Sequence, residues 1–201
     1  MSKNNENAIG IKIILLGEEG VGKTNLINAY FDRPFQEILA RTLQKEEYDK
    51  TVVLKGKTYS INIWDTIGQE KFRALTKNFI NGSHIVIFVY DITKEETFLE
   101  LNYWINTVNQ ELSNKDAIFG IVGNKSDLYL DEKVKRQEGL KEAEKIGAEF
   151  LEASAKANPL GFKEYVNKLI GKLFLKEKII QKEEDMIDLK EKKEVKKKKC
   201  C

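Results

Sequence analysis

Gly17-Glu18-Glu19-Gly20-Val21-Gly22-Lys23-Thr24 spells G-x-x-x-x-G-K-[ST], a spacing whose chemistry is the binding of a phosphate chain. Its glycines let backbone N–H groups curl around an anion, a following helix adds the positive end of its dipole, and Lys23 can neutralise β- and γ-oxygens. Thr24 would place its hydroxyl on Mg2+. The bland alternative is a glycine-rich turn. Context argues against it: Ile11-Lys12-Ile13-Ile14-Leu15-Leu16 before the loop has strand character, and Lys23 to Phe31 after it has helical spacing.

A phosphate loop does not name a base. Asn124-Lys125-Ser126-Asp127 reads as a guanine selector, because a carboxylate at Asp127 can accept from both the ring N–H and the exocyclic amine, a pair only guanine offers together. Asn124 would tie this loop to the phosphate loop, the Lys125 stem would cover the ring face, and an amide N–H of Ser154-Ala155-Lys156 would meet the guanine oxygen. Alone, N-K-S-D also reads as a surface turn; in order with the phosphate loop, each at a strand end, it is a strong signal. Trp64-Asp65-Thr66-Ile67-Gly68-Gln69-Glu70 adds Asp65 for Mg2+ through water, Gly68 N–H for a γ-phosphate and Gln69 to orient an attacking water. The single His84 opens a strand with no second titratable group beside it in sequence, which favours a structural residue.

These residues need a scaffold that brings strand ends together. Thr51–Leu54 and Tyr59–Trp64 flank a turn at Lys55-Gly56-Lys57, and alternation of Tyr59, Ile61 and Ile63 with Ser60, Asn62 and Trp64 predicts a hairpin with one wetter face. Ile85–Tyr90 and Ala117–Val122 are near-continuous apolar runs, as in strands buried on both sides of a parallel sheet. Between them Glu95–Leu112 predicts one helix with Phe98, Leu101, Ile105, Val108 and Leu112 near one face. A charged helical stretch from Val134 to Ile146 precedes a strand at Glu149–Ala153, and a last helix starts near Asn158-Pro159. Strands alternating with helices call for a doubly wound α/β sheet with one antiparallel hairpin strand.

The chain has 201 residues, 41% hydrophobic and 33% charged, a globular composition sized for one domain. Residues 1–10 read as a disordered lead, 11–175 as the domain and 176–201 as a charged extension. The last twelve residues, Lys190 to Cys201, carry seven Lys and two Glu, a local +5 that leaves residues 1–189 at −3 against a total of +2. Both cysteines, Cys200 and Cys201, are the final two residues, which excludes a disulfide-stapled fold and a thiolate zinc site. No apolar run approaches the roughly 18 residues of a membrane span, and no signal-peptide pattern follows Met1, so a cytosolic protein is expected. A lysine tail without interleaved aromatics or arginine argues against nucleic acid.

Taken together, these elements resemble the small Ras-like GTPases, and among them the Rab branch. The resemblance implies a P-loop NTPase G domain, a six-stranded mostly parallel sheet with one antiparallel strand and helices on both faces. It implies GTP/GDP and Mg2+ as ligands, with Glu19, Gly20, Val21, Gly22, Lys23, Thr24, Asn25, Phe35, Thr42, Gly68, Asn124, Lys125, Asp127, Leu128, Ser154, Ala155 and Lys156 at the nucleotide, Thr24, Thr42 and Asp65 at the metal, and Gln69 catalytic. Thr42 matches a threonine that touches Mg2+ and γ-phosphate only in the GTP state; Phe35 matches an aromatic on the guanine edge. Lys71–Thr76 and Phe88–Thr93 look like Rab-type segments. Trp64 and Phe79 match two of three effector-binding aromatics, while Glu47 stands at the third; neighbouring Tyr48 should face the other way.

Further expectations follow from the same resemblance. Glu19 stands where family members carry Gly or Ser, and Ile67 where they carry Ala, so slow hydrolysis with weak response to an arginine-finger activator is expected. The alternatives are a GTP-binding scaffold with little hydrolysis and, less favoured, a P-loop kinase of small molecules. Cys200 and Cys201 resemble a doubly geranylgeranylated Rab ending, which implies an escort protein, a prenyl transferase, an exchange factor, an activating protein and effectors. A monomeric membrane-anchored switch in vesicle traffic is implied, on the cytoplasmic face of endomembranes with a soluble cytosolic pool.

Overall fold

The computed structural model describes residues 8–37, 46–54, 57–66, 79–114 and 116–176. Thr42, Ile67, Gly68, Gln69, the Lys71–Thr76 segment, Cys200 and Cys201 lie outside the described residues.

One sheet of six strands organises the chain, in the order β2-β3-β1-β4-β5-β6. Its strands are β1 (Ile9–Leu16), β2 (Glu46–Leu54), β3 (Lys57–Asp65), β4 (Ile85–Asp91), β5 (Ile118–Asn124) and β6 (Glu149–Glu152). All neighbours are parallel except β2 and β3, which pair antiparallel from Glu46 opposite Asp65 to Leu54 opposite Lys57. β1 opens two residues earlier than the Ile11 start expected, because Ile9 and Gly10 pair with Tyr59 and Ser60. β2 likewise begins at Glu46 rather than Thr51. In that polar stretch Tyr48 is the residue that reaches the core, so the edge strand carries little apolar pattern of its own.

Helices cover both faces, since alternate residues of the central strands point opposite ways. Ile11, Ile13 and Leu15 of β1 pack with Leu26, Ile27 and Tyr30 of α1 (Lys23–Tyr30) and with Phe162, Val166 and Leu169 of the last helix. That helix is described from 159 to 176 and carries Pro159 in its first turn. On the other face Ile14 and Leu16 pack with Val86, Phe88, Leu101, Trp104 and Ile105. The predicted helix Glu95–Leu112 is two helices, α2 (Glu95–Leu99) and α3 (Leu101–Glu111). Glu100, with ψ −11, is the junction, and beyond it α3 buries Leu101, Trp104, Ile105 and Val108. α4 (Arg136–Lys145) completes the second face with Ala143, and an exposed 3-10 helix (Ser126–Asp131) follows β5.

His84 has the structural place its isolation suggested. Its Nδ1 accepts from the Lys12 backbone N–H at 3.0 Å, while its backbone N–H donates to the Lys12 carbonyl at 2.9 Å, so ring and backbone together join this residue to β1 just ahead of Ile85. Among the described residues no helix is long and apolar enough to cross a membrane.

Candidate functional site

In a doubly wound sheet a ligand crevice forms outside the carboxyl ends of the strands, where the chain order reverses. Here β1 is flanked by β3 on one side and β4 on the other, and the sequence-predicted loops leave the carboxyl ends of β1, β3, β5 and β6.

The loop after β1 is shaped by close approach. A side chain at Gly17, whose φ is +152°, would run into the Val89 carbonyl of β4, and Gly22 caps α1 in the left-handed region at φ 94°. Lys23 is buried, with Nζ donating to the Gly17 carbonyl at 2.7 Å and the Glu18 carbonyl at 2.9 Å. Burial pulls its pKa from 10.5 down to about 8, against the opposing pull of Asp65, Glu18 and Glu19. Thr24 Oγ1 donates to Asp65 Oδ2 at 2.6 Å. This hydroxyl and carboxylate, from α1 and the end of β3, form an all-oxygen donor set suited to a hard cation such as Mg2+. Thr66 pins that strand end by donating to the Leu15 carbonyl at 2.6 Å.

One contact of this loop was not legible in the motif. The fully buried Trp104 of α3 donates its indole N–H to Glu18 Oε1 at 3.2 Å, which turns that carboxylate toward the helix. Its only sequence signal is its apolar character within α3. Glu19 is half-buried, and its charge acts on Lys23.

The loops after β5 and β6 meet the phosphate loop through one side chain. Buried Asn124 donates from Nδ2 to the Val21 carbonyl at 2.8 Å and accepts at Oδ1 from the Ala155 N–H at 3.3 Å. Ser154 Oγ donates to Asp127 Oδ1 at 2.5 Å and accepts from the Ala157 N–H at 2.8 Å. The Ser126 N–H donates to the Ala153 carbonyl at 3.0 Å. Lys125 sits in the left-handed region at φ 67° with Nζ 2.6 Å from Asp91 Oδ2. Leu128 stands 42% exposed in the 3-10 helix. Together these loops present a carboxylate, backbone N–H groups and an aliphatic lysine stem, a set able to grip a flat base by its edge and face.

A second aromatic edge comes from the segment after α1. Asn25 holds it twice, its Nδ2 donating to the Gln36 carbonyl at 2.9 Å and its Oδ1 accepting from the Gln36 N–H at 3.0 Å. Phe35, 38% exposed, has the Lys156 ammonium 5.8 Å from its ring centre. Lys156 also pairs with Glu37 at 2.9 Å. That contact raises the Lys156 pKa and lowers that of Glu37.

Away from this crevice, Trp64 and Phe79 lie together with ring centres 5.6 Å apart, and the Lys12 ammonium is 4.0 Å from the Trp64 ring centre. Glu47 stands opposite Trp64 in the hairpin register, whereas Tyr48 is buried on the other face.

Comparison with known proteins agrees with this architecture. The Ras family model matches residues 12–174. Ras-related protein Rab-18-B of Danio rerio is 40% identical over 174 residues, spanning 85% of this chain and 84% of its own. Ras-related protein RabC of Dictyostelium discoideum is 41% identical over 155 residues, 76% of this chain and 79% of its own. Ras-related protein Rab-12 of Homo sapiens is 42% identical over 149 residues, 74% of this chain and 61% of its own. The chain therefore belongs to the Ras family, as a small GTPase of the Rab type.

Proposed function

We propose that this GTPase is a membrane-anchored switch of vesicle traffic, whose nucleotide lies across the crevice with its phosphates in the Gly17–Thr24 loop and its guanine against Asp127. The observation that carries the reading is Asn124, whose one amide links the phosphate loop at Val21 to the third loop at Ala155. A ligand that touches all three loops then meets a single preorganised unit. Thr24 and Asp65, with Thr42, would hold Mg2+, which when bound neutralises charge on the β- and γ-phosphates. Glu19, Gly20, Val21, Gly22, Lys23 and Asn25 line the phosphate side. Phe35, Lys125, Leu128, Ser154, Ala155 and Lys156 line the base side.

Thr42 and Gly68 are read as the groups that follow the γ-phosphate and order two loops that partners recognise. Gln69 is read as orienting the attacking water. Trp64 and Phe79 are read as effector contacts. Prenyl chains on Cys200 and Cys201 would supply stable anchoring where one chain is marginal, and each Lys near an anionic leaflet adds about 1 kcal/mol.

Calorimetric titration of the purified chain tests the nucleotide reading. GDP should bind and ADP should not. Phosphate binding raises the pKa of Lys23 above its free-protein value of about 8. The ammonium's contribution is therefore whole below about pH 8 and is lost as pH rises through the bound-state value. At about pH 8.5 binding should therefore take up protons, seen as heat that varies with buffer ionisation enthalpy. Equal heats for GDP and ADP would overturn the base assignment, and binding without proton uptake the role of Lys23.

Turnover has its own test. Glu19 brings a carboxylate to the loop that should hold the γ-phosphate, and its field reaches Lys23. In single-turnover assays Glu19→Gly should speed GTP hydrolysis about tenfold, a barrier change of about 1.4 kcal/mol. Unchanged rates would remove Glu19 from the account of slow hydrolysis.

A further inference from the structure

We propose that Asp91, at the end of β4, is a positioning residue for base recognition: it fixes the Lys125 side chain in the form that covers the purine ring. The inference rests on the nucleotide-site reading above and adds to it a residue outside every loop that touches the ligand.

The placement follows from the sheet. β4 and β5 pair in parallel with Asp91 opposite Asn124, which sets the Asp91 carboxylate beside the residue that follows Asn124. Asp91 is 1% exposed, and its two oxygens face different ways. Oδ1 accepts from the Thr93 N–H at 3.0 Å and the Thr93 hydroxyl at 2.8 Å. Oδ2 lies 2.6 Å from Lys125 Nζ, off the axis of a conventional hydrogen bond, so the contact is a close ion pair. The Asp91 backbone is held as well, its N–H donating to Thr97 Oγ1 at 3.0 Å.

Three consequences follow. A buried carboxylate held from one side by Thr93 has one direction left for a cation, and Lys125 fills it. Lys125 reaches it from a left-handed backbone, φ 67° and ψ 34°, which residues other than glycine rarely adopt and which surrounding contacts must hold in place. A lysine stem otherwise spreads over many rotamers; anchored at its far end, it presents its methylenes as a fixed wall before the base arrives. Asp91 thus touches no ligand and acts through Lys125.

Release of a fluorescent N-methylanthraniloyl GDP from the full chain tests this. Asp91→Asn keeps the shape and the acceptor toward Thr93 but removes the charge, and should speed release about tenfold. Lys125→Met, which keeps an apolar stem without the ammonium, should speed release as well, and Asp91→Asn added to it should change the rate less than about twofold. A fold-supporting role for Asp91 would instead multiply the two effects. Multiplied rate effects, or release unchanged by Asp91→Asn, overturn the proposal. If Asp91→Asn does not fold, Thr93→Val loosens Asp91 without removing the pair. It should speed release about two- to threefold in the native background and not in Lys125→Met; no effect in either overturns the proposal. A native chain that binds no labelled GDP overturns the site reading and this inference with it, whereas normal binding lost in Asp127→Ala but insensitive to Asp91→Asn overturns this inference alone.

Discussion

Asp127→Asn should exchange guanine for xanthine as the preferred base. A carboxylate offers only acceptors, and guanine presents two adjacent donors, the ring N–H and the exocyclic amine. Asn at this position keeps one acceptor and turns a donor toward the exocyclic amine, so one hydrogen bond is lost and two donors confront each other. Hydrogen bonds to a charged group are worth about 1.5–3 kcal/mol each; with one bond lost, the other stripped of its charge and two donors opposed, GDP should weaken by on the order of 10²–10⁴. Xanthine carries a carbonyl where guanine carries the amine, so the same Asn meets it with donor to acceptor and acceptor to ring N–H. The side chain is well placed for a clean exchange, because Ser154 Oγ fixes Asp127 Oδ1 at 2.5 Å and is itself fixed by the Ala157 N–H. A serine hydroxyl can donate equally to an amide oxygen, so this support survives the substitution. Competition between GDP and xanthosine diphosphate checks the prediction. A variant that still prefers GDP would mean that Asp127 does not read the base.

What could be read from the sequence is what lies close together along it. The phosphate loop, the N-K-S-D turn and the buried runs Ile85–Tyr90 and Ala117–Val122 each carry their pattern within about ten residues, and all fall where the sheet places strand ends and central strands. The contacts that complete the site cross the sheet instead. Asp91 reaches Lys125 only because of the β4–β5 register. Trp104 reaches Glu18 across 86 positions, and it stands outside the stripe of Phe98, Leu101, Ile105, Val108 and Leu112 that the apolar spacing picks out. The break at Glu100 is invisible for a related reason: the apolar spacing from Phe98 to Leu112 continues through it, while the backbone tightens locally, the Tyr103 N–H donating to the Glu100 carbonyl at 3.1 Å. The start of β2 carries no strand pattern because Glu46-Glu47-Tyr48-Asp49-Lys50 takes its strand form from pairing with β3, not from apolar residues of its own.

Gly22→Ala should cripple nucleotide binding far more than Gly20→Ala, although both glycines sit in the same loop with positive φ. At Gly20, φ is +78° and no atom lies within 4 Å of an added Cβ. That substitution costs only the left-handed backbone, about 1–2 kcal/mol. At Gly22, φ is +94° and an added Cβ would overlap the Asn124 amide nitrogen. Asn124 is 2% exposed and cannot retreat without giving up its 2.8 Å bond to the Val21 carbonyl. A buried polar group left without its partner costs a further 1–3 kcal/mol, roughly. The damage does not stay in the phosphate loop, because the same side chain accepts from Ala155, and its displacement separates the phosphate side of the crevice from the base side. A nucleotide that spans both sides then has to rebuild the alignment on binding, which draws on its own affinity. We expect GDP to bind on the order of 10²–10³-fold more weakly to Gly22→Ala and less than about tenfold more weakly to Gly20→Ala. Thermal melts should show the same order without nucleotide, and excess GDP should rescue Gly20→Ala far better than Gly22→Ala. Equal losses in the two variants would reduce Gly22 to a turn residue and leave the Asn124 bridge without a role in binding.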